Sequence, residues 1–392
     1  MTSLSAEIQL IAACCRRPSS AGRAPAISLA AGQVISWDDL LIATRRHRVE
    51  ALVHSGLGEA AIEVPPHVGR VLAAAATTTL HAGLAKAAEE FRLLGAMSGE
   101  GIDVIFVKGT TLSVLAYGAI GVKSAKDIDL LAPHEDFLRA CQVLTSLGYE
   151  RRTPEPELSD AQFRRFMRHS HEAMFVHPGL GMVVDIHPSL VENPLLLPDL
   201  GLASPRQTVR ISDGIELPTL ALGPLFSYLC VHGAIHHWKR LKWLADVAAL
   251  IGSDTAEIES LYREAVALGA GRCPAVALLL CHELLGTPLS PGFHEELKRD
   301  LNVTRLLKVS RFMIAGNKHD VNFDKRPATN LQIMQGNFLL ASGWAYVLAE
   351  LRHHAFYPGD RVLLAAPAFL RPLVRLLTLP GRWVRRIFLP AV

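Results

Sequence analysis

The chain has 392 residues, which at roughly 150 residues per domain predicts two or three domains. Half of the residues are hydrophobic and a fifth are charged, so the composition is that of a folded globular protein and excludes a disordered or fibrous one. Lys and Arg number 40 and Asp and Glu 37, which gives a net charge of +3. This balance argues against a protein that coats nucleic acid, although it leaves room for a local anion-binding site.

The cysteines and the apolar segments bear on the cellular compartment. The six cysteines are scattered and form no Cys-x-x-Cys pair, which argues against a disulfide framework and against a thiolate zinc site. We expect them to be buried side chains in a reducing compartment. No segment approaches the roughly 18 to 20 apolar residues of a spanning helix, and the N-terminus lacks the basic opening of a secretory signal. The sequence therefore predicts a cytoplasmic protein.

The N-terminal region, residues 1–97, is predicted to be helical. Its apolar residues recur at helical spacing, with a break at Pro65-Pro66. The last element, over 67–97, is rich in Ala and Leu and follows the two prolines, a pattern typical of a long helix.

The middle region, residues 98–215, changes to short β-branched and aromatic runs that alternate with helical segments. A Pro-Gly turn at 178–181 separates the last two runs, as in a hairpin. We therefore predict a compact α/β unit of about a hundred residues, the size of a small domain. The predicted strands are 104–107, 128–131, 173–176 and 182–187, and the predicted helices are 109–117 and 135–147.

The C-terminal region, residues 216–392, is predicted to be helical again. It ends in a basic tail, residues 361–392, with six arginines and no acidic residue. Such a segment can contact an anionic membrane or a partner weakly, or pack as a terminal helix with solvated arginines. The predicted helices of this region are 222–237, 239–252, 256–269, 271–285 and 299–315.

Three aspartates carry the strongest chemical signal. Side chains alternate along a strand, so Asp127 and Asp129 project from the same face of the predicted strand 128–131. Asp185 lies in the apolar strand 182–187 and offers a third carboxylate. The alternative is a solvated strand face, but unpaired carboxylates are costly in apolar surroundings, so three of them indicate a bound cation. Oxygen ligands of this kind suit Mg²⁺ or Mn²⁺.

A glycine turn precedes the aspartates. Lys108, Gly109, Thr110 and Thr111 lie between the first predicted strand and the helix that follows it. Glycine lets the backbone approach a ligand closely, and the first N–H groups of a helix attract phosphate oxygens. These four residues are therefore predicted to bind the phosphates of a nucleotide, since strand, Lys-Gly, helix and Asp-x-Asp strand follow in that order.

These motifs resemble a bacterial family of uncharacterised nucleotidyltransferase-like proteins with the DNA polymerase β type of nucleotidyltransferase fold. The resemblance covers about residues 90 to 285. It implies an α+β fold, in which a small mixed-sheet nucleotidyltransferase core is flanked by the N-terminal and C-terminal helical regions. The motifs that carry it are Lys108-Gly109, Tyr117, Asp127-Ile-Asp129-Leu-Leu131, Asp185-Ile-His187, and His232, His236, Trp238 and Asp246.

The resemblance also implies roles for individual residues. Asp127 and Asp129 would bind Mg²⁺ and the nucleoside triphosphate, whereas Asp185 would complete the metal site and help to deprotonate an acceptor hydroxyl. Gly109 and Thr110 would hold phosphates.

Two lysines depart from the family pattern and are further candidates for nucleotide binding. Lys123 stands where the family tends to carry Arg, and Lys lacks the planar bidentate grip of Arg on phosphate. Lys126 directly precedes the first aspartate, where a small residue is commoner.

Five histidines are candidates to line a substrate cleft: His169, His171, His187, His232 and His236. His232 and His236 continue the apolar stripe of a helix, so they are either packing residues paired with Asp246, metal ligands, or contacts to substrate. The other pair, in Arg-His-Ser-His-Glu, shows no third metal ligand nearby in the sequence.

The sequence thus predicts an Mg²⁺-dependent nucleotidyltransferase that moves a nucleoside monophosphate from an NTP to a hydroxyl. The near-neutral charge favours a small molecule, a peptide or a protein as acceptor over a long nucleic acid. One alternative is transfer of a sugar from a nucleotide sugar, since such enzymes also hold a metal with Asp-x-Asp. Another is a non-catalytic module that binds nucleotide and regulates a partner.

Overall fold

The structure of the protein is a computed structural model that describes residues 4–18, 20–168, 170–316 and 326–355. His169 and the basic tail, residues 361–392, lie outside the described residues.

A mixed five-stranded sheet forms the centre of the middle region, with strand order β1-β2-β5-β4-β3. β2 and β5 are parallel, and the other neighbours are antiparallel. This arrangement confirms the predicted α+β fold with a mixed sheet. The strands are β1 (Ile105–Phe106), β2 (Ile128–Leu131), β3 (Glu150–Thr153), β4 (Ala173–His177) and β5 (Met182–His187).

The other two strands form a separate hairpin, with β6 at Arg206–Ser212 and β7 at Ile215–Leu220. This hairpin was not predicted, although its alternating runs flank a two-residue Asp213-Gly214 turn, a pattern typical of a hairpin. The edge strand β3 was missed because its Glu-Arg-Arg-Thr sequence is mostly exposed and has no apolar run.

Eight helices precede or interrupt the sheet. The long helix that was predicted after Pro65 is confirmed, and it contributes residues to the candidate site described below. Their bounds are α1 (Ala6–Cys14), α2 (Arg23–Ala31), α3 (Trp37–His47), α4 (Glu50–Glu59), α5 (Pro66–Gly99), α6 (Thr110–Tyr117), α7 (Phe137–Ser146) and α8 (Asp160–Met167).

The rest of the described chain is helical, as predicted for the C-terminal region. These helices are α9 (Leu222–Ile235), α10 (Leu241–Leu250), α11 (Thr255–Ala267), α12 (Cys273–Leu285), α13 (Pro291–Lys298), α14 (Leu301–Ala315), α15 (Pro327–Asn337) and α16 (Trp344–Ala355).

The N-terminal and C-terminal helices share one hydrophobic core. Ile11 of α1, Leu244 of α10 and Leu278 of α12 belong to the same buried cluster. A second cluster lies between the sheet, α7 and α8, and includes Phe106, Phe137 and Phe166. Helix α1 therefore packs together with α10 and α12 of the C-terminal region.

The six cysteines are all buried and reduced, as expected from their scattered positions. Burial raises the pKa of the Cys14 thiol to about 12, so this side chain stays a neutral apolar group at physiological pH. Among the described residues, no helix combines the length and the apolar character needed to cross a membrane.

The turn between α9 and α10 depends on a glycine. Trp238 is fully buried, has a left-handed backbone (φ 53°) and donates its backbone N–H to the Gly233 carbonyl at 2.9 Å. A Cβ atom on Gly233 would lie 2.2 Å from Cζ3 of the Trp238 ring. The helix must therefore have no side chain at this position.

We expect Gly233→Ala to lower the free energy of unfolding by about 1–3 kcal/mol, because the methyl group overpacks the Trp238 ring. The control is Gly95→Ala in α5, where the added Cβ meets no atom within 4 Å. That substitution should leave stability unchanged or raise it by up to about 1 kcal/mol, since Ala favours helix over Gly. Urea unfolding measures both, and equal effects at the two positions would contradict the packing argument.

Candidate functional site

The three predicted aspartates lie together at the centre of the sheet. β2 and β5 pair in parallel with Asp129 opposite Asp185, and Asp127 directly precedes β2. One carboxylate oxygen from each residue lies within 4.8 Å of the other two. Asp129 is buried, whereas Asp127 and Asp185 are partly exposed. The site thus has a buried end and an end that opens towards solvent.

Two basic side chains compensate the charge of Asp129. Lys108 Nζ lies 2.8 Å from Asp129 Oδ1, and His187 Nε2 lies 3.3 Å from the same oxygen. Burial alone would raise the pKa of the Asp129 carboxyl, but Lys108 and His187 hold it well below its usual range. The same carboxylate raises the pKa of Lys108 above its usual range in spite of burial. Asp129 and Lys108 are therefore a buried ion pair.

The negative charge of Asp185 is compensated less fully than that of Asp129. Burial raises the pKa of its carboxyl to about 8, and the neighbouring carboxylates of Glu172, Asp127 and Asp129 add to the shift. The triad therefore carries more negative charge than Lys108 offsets. A divalent cation would relieve this excess, and an all-oxygen donor set fits Mg²⁺ or Mn²⁺.

The glycine turn forms as predicted between β1 and α6. Gly109 has φ 66°, a left-handed conformation that favours glycine, and α6 begins at Thr110. Glu90 of α5 lies against this turn, since its Oε1 would be 3.0 Å from a Cβ on Gly109. Glu90 Oε2 is buried and has no hydrogen-bond partner among the described residues. Thr111 turns inward, and its hydroxyl donates to the Phe106 carbonyl at 3.2 Å.

Two lysines line a small pocket beside this turn, Lys86 and Lys123, whereas Lys126 is exposed. Lys86 of α5 donates to the Ala125 carbonyl. Lys242 of α10 is a neighbour of the pocket, since it donates to the carbonyl of the lining residue Ser124 at 3.4 Å. The pocket residues include Thr79, Gly83, Lys86, Gly109, Thr110, Ser113, Lys123 and Ser124. Basic side chains from α5 and from the loop before β2 thus meet at this pocket.

A sequence profile of the family described as "Uncharacterised nucleotidyltransferase" matches residues 33–286, which is well over half of the chain. The chain belongs to this uncharacterised nucleotidyltransferase family. The match begins before α3 and ends just after α12, so it includes the aspartate triad, the glycine turn and the lysine pocket. The resemblance to this family that the sequence motifs indicated is thus confirmed. A comparison with curated proteins found no match.

Several family motif residues meet in one buried network. Asp246 of α10 accepts a hydrogen bond from the Tyr117 hydroxyl at 3.0 Å and lies 2.9 Å from Lys123 Nζ. Both charged side chains are nearly inaccessible to solvent. Lys123, which the sequence placed among the nucleotide-binding candidates, thus holds Asp246 in this structure, and its phosphate role remains a prediction.

His232 and His236 pack against an aromatic side chain and do not pair with Asp246. The His236 ring stacks on Trp243 at a centroid distance of 5.1 Å, and the His232 ring meets the same Trp243 edge-on at 5.6 Å. Burial lowers the pKa of His236 to about 3, so the ring is neutral at physiological pH. His232 and His236 therefore act as packing residues around Trp243 in this structure. Their role in substrate binding remains a prediction.

His187 and His171 lie next to the triad. The two rings are 5.6 Å apart, and His187 Nδ1 donates to the backbone carbonyl of His171 at 3.2 Å. His171 also lines a cavity of about 580 Å³ between the loop after β5 and α16. The structure thus brings these two predicted cleft residues together, and it does not describe His169.

Sequence reasoning missed four residues of this site: Lys86, Glu90, Glu172 and Lys242. Lys86 and Glu90 are four residues apart on α5, so an i,i+4 charge pair on an Ala-rich helix was a usable signal. Glu172 and Lys242 had none, because their place in the site depends on how the strands and helices pack.

Glu90 provides a test of burial through pH. Burial raises the pKa of its carboxyl to about 7 from an ordinary 4.5, so the folded protein holds this proton more tightly than the unfolded chain does. This contribution to stability is present below about pH 4.5 and is lost as the pH rises through about 7. Glu90→Gln cannot titrate, and from pH 5 to 8 its stability should gain about 2–3 kcal/mol relative to wild type.

Denaturant unfolding at a series of pH values measures this difference. Glu100→Gln makes the same chemical change at an exposed position and should track wild type at every pH. Parallel pH profiles for Glu90→Gln and wild type would show that Glu90 ionises freely in the folded state.

The Asp246 network predicts strong coupling. Asp246→Ala leaves Lys123 buried without its partner, and we expect it to lower the free energy of unfolding by about 3–5 kcal/mol. The double substitution Lys123→Met/Asp246→Leu replaces both charges by apolar groups. It should lower the free energy of unfolding by less than the sum of the effects of Lys123→Met alone and Asp246→Leu alone. A double-mutant cycle in urea measures the coupling, and additive effects would rule out the buried pair.

Proposed function

We propose that the protein is a nucleotidyltransferase that uses Mg²⁺ or Mn²⁺ to move a nucleoside monophosphate from an NTP to an acceptor hydroxyl, with release of pyrophosphate. The observation that carries the proposal is the aspartate triad of Asp127, Asp129 and Asp185, which lies beside a glycine turn and a pocket lined by Lys86 and Lys123. Membership of the nucleotidyltransferase family supports it.

The triad fits a divalent cation by its chemistry and by its charge. Asp127, Asp129 and Asp185 would hold the ion, which would neutralise phosphate charge and promote attack at phosphorus when bound. The raised pKa of Asp185 shows that its negative charge is poorly compensated by the protein alone. Loading of the site would therefore displace a proton from Asp185.

The chain's own side chains would position the triphosphate. The N–H groups of the first turn of α6 lie at the glycine turn, and Lys86 and Lys123 line the adjoining pocket. Glu90 lies against the same turn. Burial raises the pKa of its carboxyl to about 7, so Glu90 is partly protonated at neutral pH and repels a phosphate less than an ionised carboxylate would.

The acceptor hydroxyl would approach from the partly exposed side of Asp185. The carboxylate of Asp185, once ionised, can accept the hydroxyl proton. The cavity next to His171 has a volume of about 580 Å³, within the usual range of small-molecule sites. It mixes apolar residues with charged ones, so it suits a small molecule or one side chain of a peptide or protein.

The proposal is tested by pyrophosphate release from each NTP in the presence of Mg²⁺. Asp127→Asn/Asp129→Asn keeps the side-chain shapes and removes two carboxylates, and we expect it to lower the rate by at least about 100-fold. The matched control is Asp213→Asn in the turn of the β6–β7 hairpin, whose side chain is 96% exposed. Its rate should equal that of wild type.

The products distinguish the alternatives. Mass spectrometry of the modified acceptor should show an added nucleoside monophosphate, whereas an added sugar would establish transfer from a nucleotide sugar instead. Activity that survives the double substitution would refute the triad as the catalytic metal site. Calorimetry that detects neither NTP nor Mg²⁺ binding would favour the regulatory module.

A further inference from the structure

A second group of possible metal ligands lies beside the triad. His171, Glu172 and His187 each offer one ligand atom, and these atoms lie within 4.8 Å of one another. His187 is buried in β5, while His171 and Glu172 belong to the segment that leads into β4. The antiparallel pairing of β4 with β5 brings the two segments together.

The spacing of this group matches metal ligands better than hydrogen bonds. His171 Nε2 and Glu172 Oε2 are 3.4 Å apart, longer than the usual 2.7–3.2 Å of a hydrogen bond. Two ligand atoms on a tetrahedral Zn²⁺, with bonds of about 2.0–2.1 Å, lie about 3.4 Å from each other. An ion between these two atoms would therefore need little movement of either side chain.

Both histidine rings contact polar groups through the nitrogen that would face away from a metal ion. His187 Nδ1 donates to the carbonyl oxygen of His171 at 3.2 Å. His187 Nε2 lies 3.3 Å from Asp129 Oδ1, so this nitrogen gives up its proton to bind a metal ion. His171 Nδ1 lies 3.3 Å from Glu192 Oε1, and Glu192 Oε2 lies 2.7 Å from His353 Nε2. A carbonyl thus orients the His187 ring, and a carboxylate lies behind the His171 ring.

We propose that His171, Glu172 and His187 form a second metal site, distinct from the aspartate triad and selective for a transition metal such as Zn²⁺. Two imidazoles and one carboxylate favour Zn²⁺ or Co²⁺, whereas an all-carboxylate triad favours Mg²⁺ or Mn²⁺. Three protein ligands leave a coordination position open, as in catalytic zinc sites. The two sites adjoin, because His187 Nε2 lies 3.3 Å from Asp129 Oδ1.

The site explains a pattern that the sequence left incomplete. The sequence offered His169 and His171 as a pair without a clear third ligand, whereas the structure places His171 with its neighbour Glu172 and with His187 from the adjacent strand. The site does not depend on the proposed nucleotidyl transfer, because its ligands differ from those of the triad.

The experiment is a titration of the chelator-treated full-length protein with Co²⁺ alone, followed by visible absorption. Nitrogen-ligated Co²⁺ in a four-coordinate site absorbs strongly, unlike Co²⁺ in an all-oxygen octahedral site. Wild type should show this absorption with a 1:1 endpoint, and His171→Ala and Glu172→Gln should each lose it. Glu192→Gln should keep it with about 10–100-fold weaker binding, because only the supporting carboxylate changes.

Two controls separate this site from others. Asp127→Asn should keep the absorption, since Asp127 belongs only to the triad. His282→Ala changes a histidine of a distant ring pair, 4.9 Å from His294, and should also keep it. Circular dichroism establishes that each variant is folded, and the partly exposed Glu172 provides a test should His171→Ala not fold.

Absence of the absorption in wild type would overturn the proposal, as would its persistence in folded Glu172→Gln. Loss of the absorption in Asp127→Asn would assign the ion to the triad and also overturn it. Failure of the pyrophosphate assay with the Co²⁺ results intact would refute the transferase function and leave the second site standing.

Discussion

β2 and β5 run parallel and in register, so Asp129 and Asp185 lie side by side in the middle of a sheet. With Asp127 they gather three carboxylates within 4.8 Å, where the surroundings only partly admit water. Like charges this close cannot all stay ionised without cations nearby. Lys108 and His187 supply the close compensating groups, and Lys86 of the neighbouring helix α5 adds a further positive charge.

The compensation is uneven, and this unevenness gives each carboxylate a different character. Lys108 and His187 both contact Asp129, which stays ionised, whereas Asp185 keeps a raised pKa among its carboxylate neighbours. A protein that needed only stability would pair each carboxylate or replace it with an apolar residue. At neutral pH Asp185 instead keeps a proton, which an external cation would displace.

The helical regions position the charges of the site as well as forming the core. Lys86 and Glu90 come from α5 before the sheet, and Lys242 and Asp246 come from α10 after it. Because α1, α10 and α12 share one hydrophobic core, these two sources are fixed relative to each other. The Asp246 carboxylate then ties α10 to the loop before β2 through Lys123. The pocket beside the glycine turn is thus built from three separate parts of the chain.

Much of the fold was predictable from local sequence. The strands β2, β4 and β5 have apolar or β-branched runs, and α5, α6 and α9 have helical spacing with glycine or proline at their ends. Strand β3 was missed because its sequence is polar and its pairing with β4 leaves no periodic apolar signal. The β6–β7 hairpin was missed although Asp213-Gly214 lies between two alternating runs, so a local signal for it was present.

The sequence by itself determined the triad, the glycine turn and the mixed α+β character, because each depends on residues a few positions apart or on a recurrent motif. Only the tertiary structure decided that Asp246 pairs with Lys123, that Glu90 lies against the glycine turn, and that Glu172 joins His187. These contacts join distant elements, and they form only after strand order and helix packing are established. A contact between charged residues that are far apart in the sequence leaves no local sequence pattern from which it could be predicted.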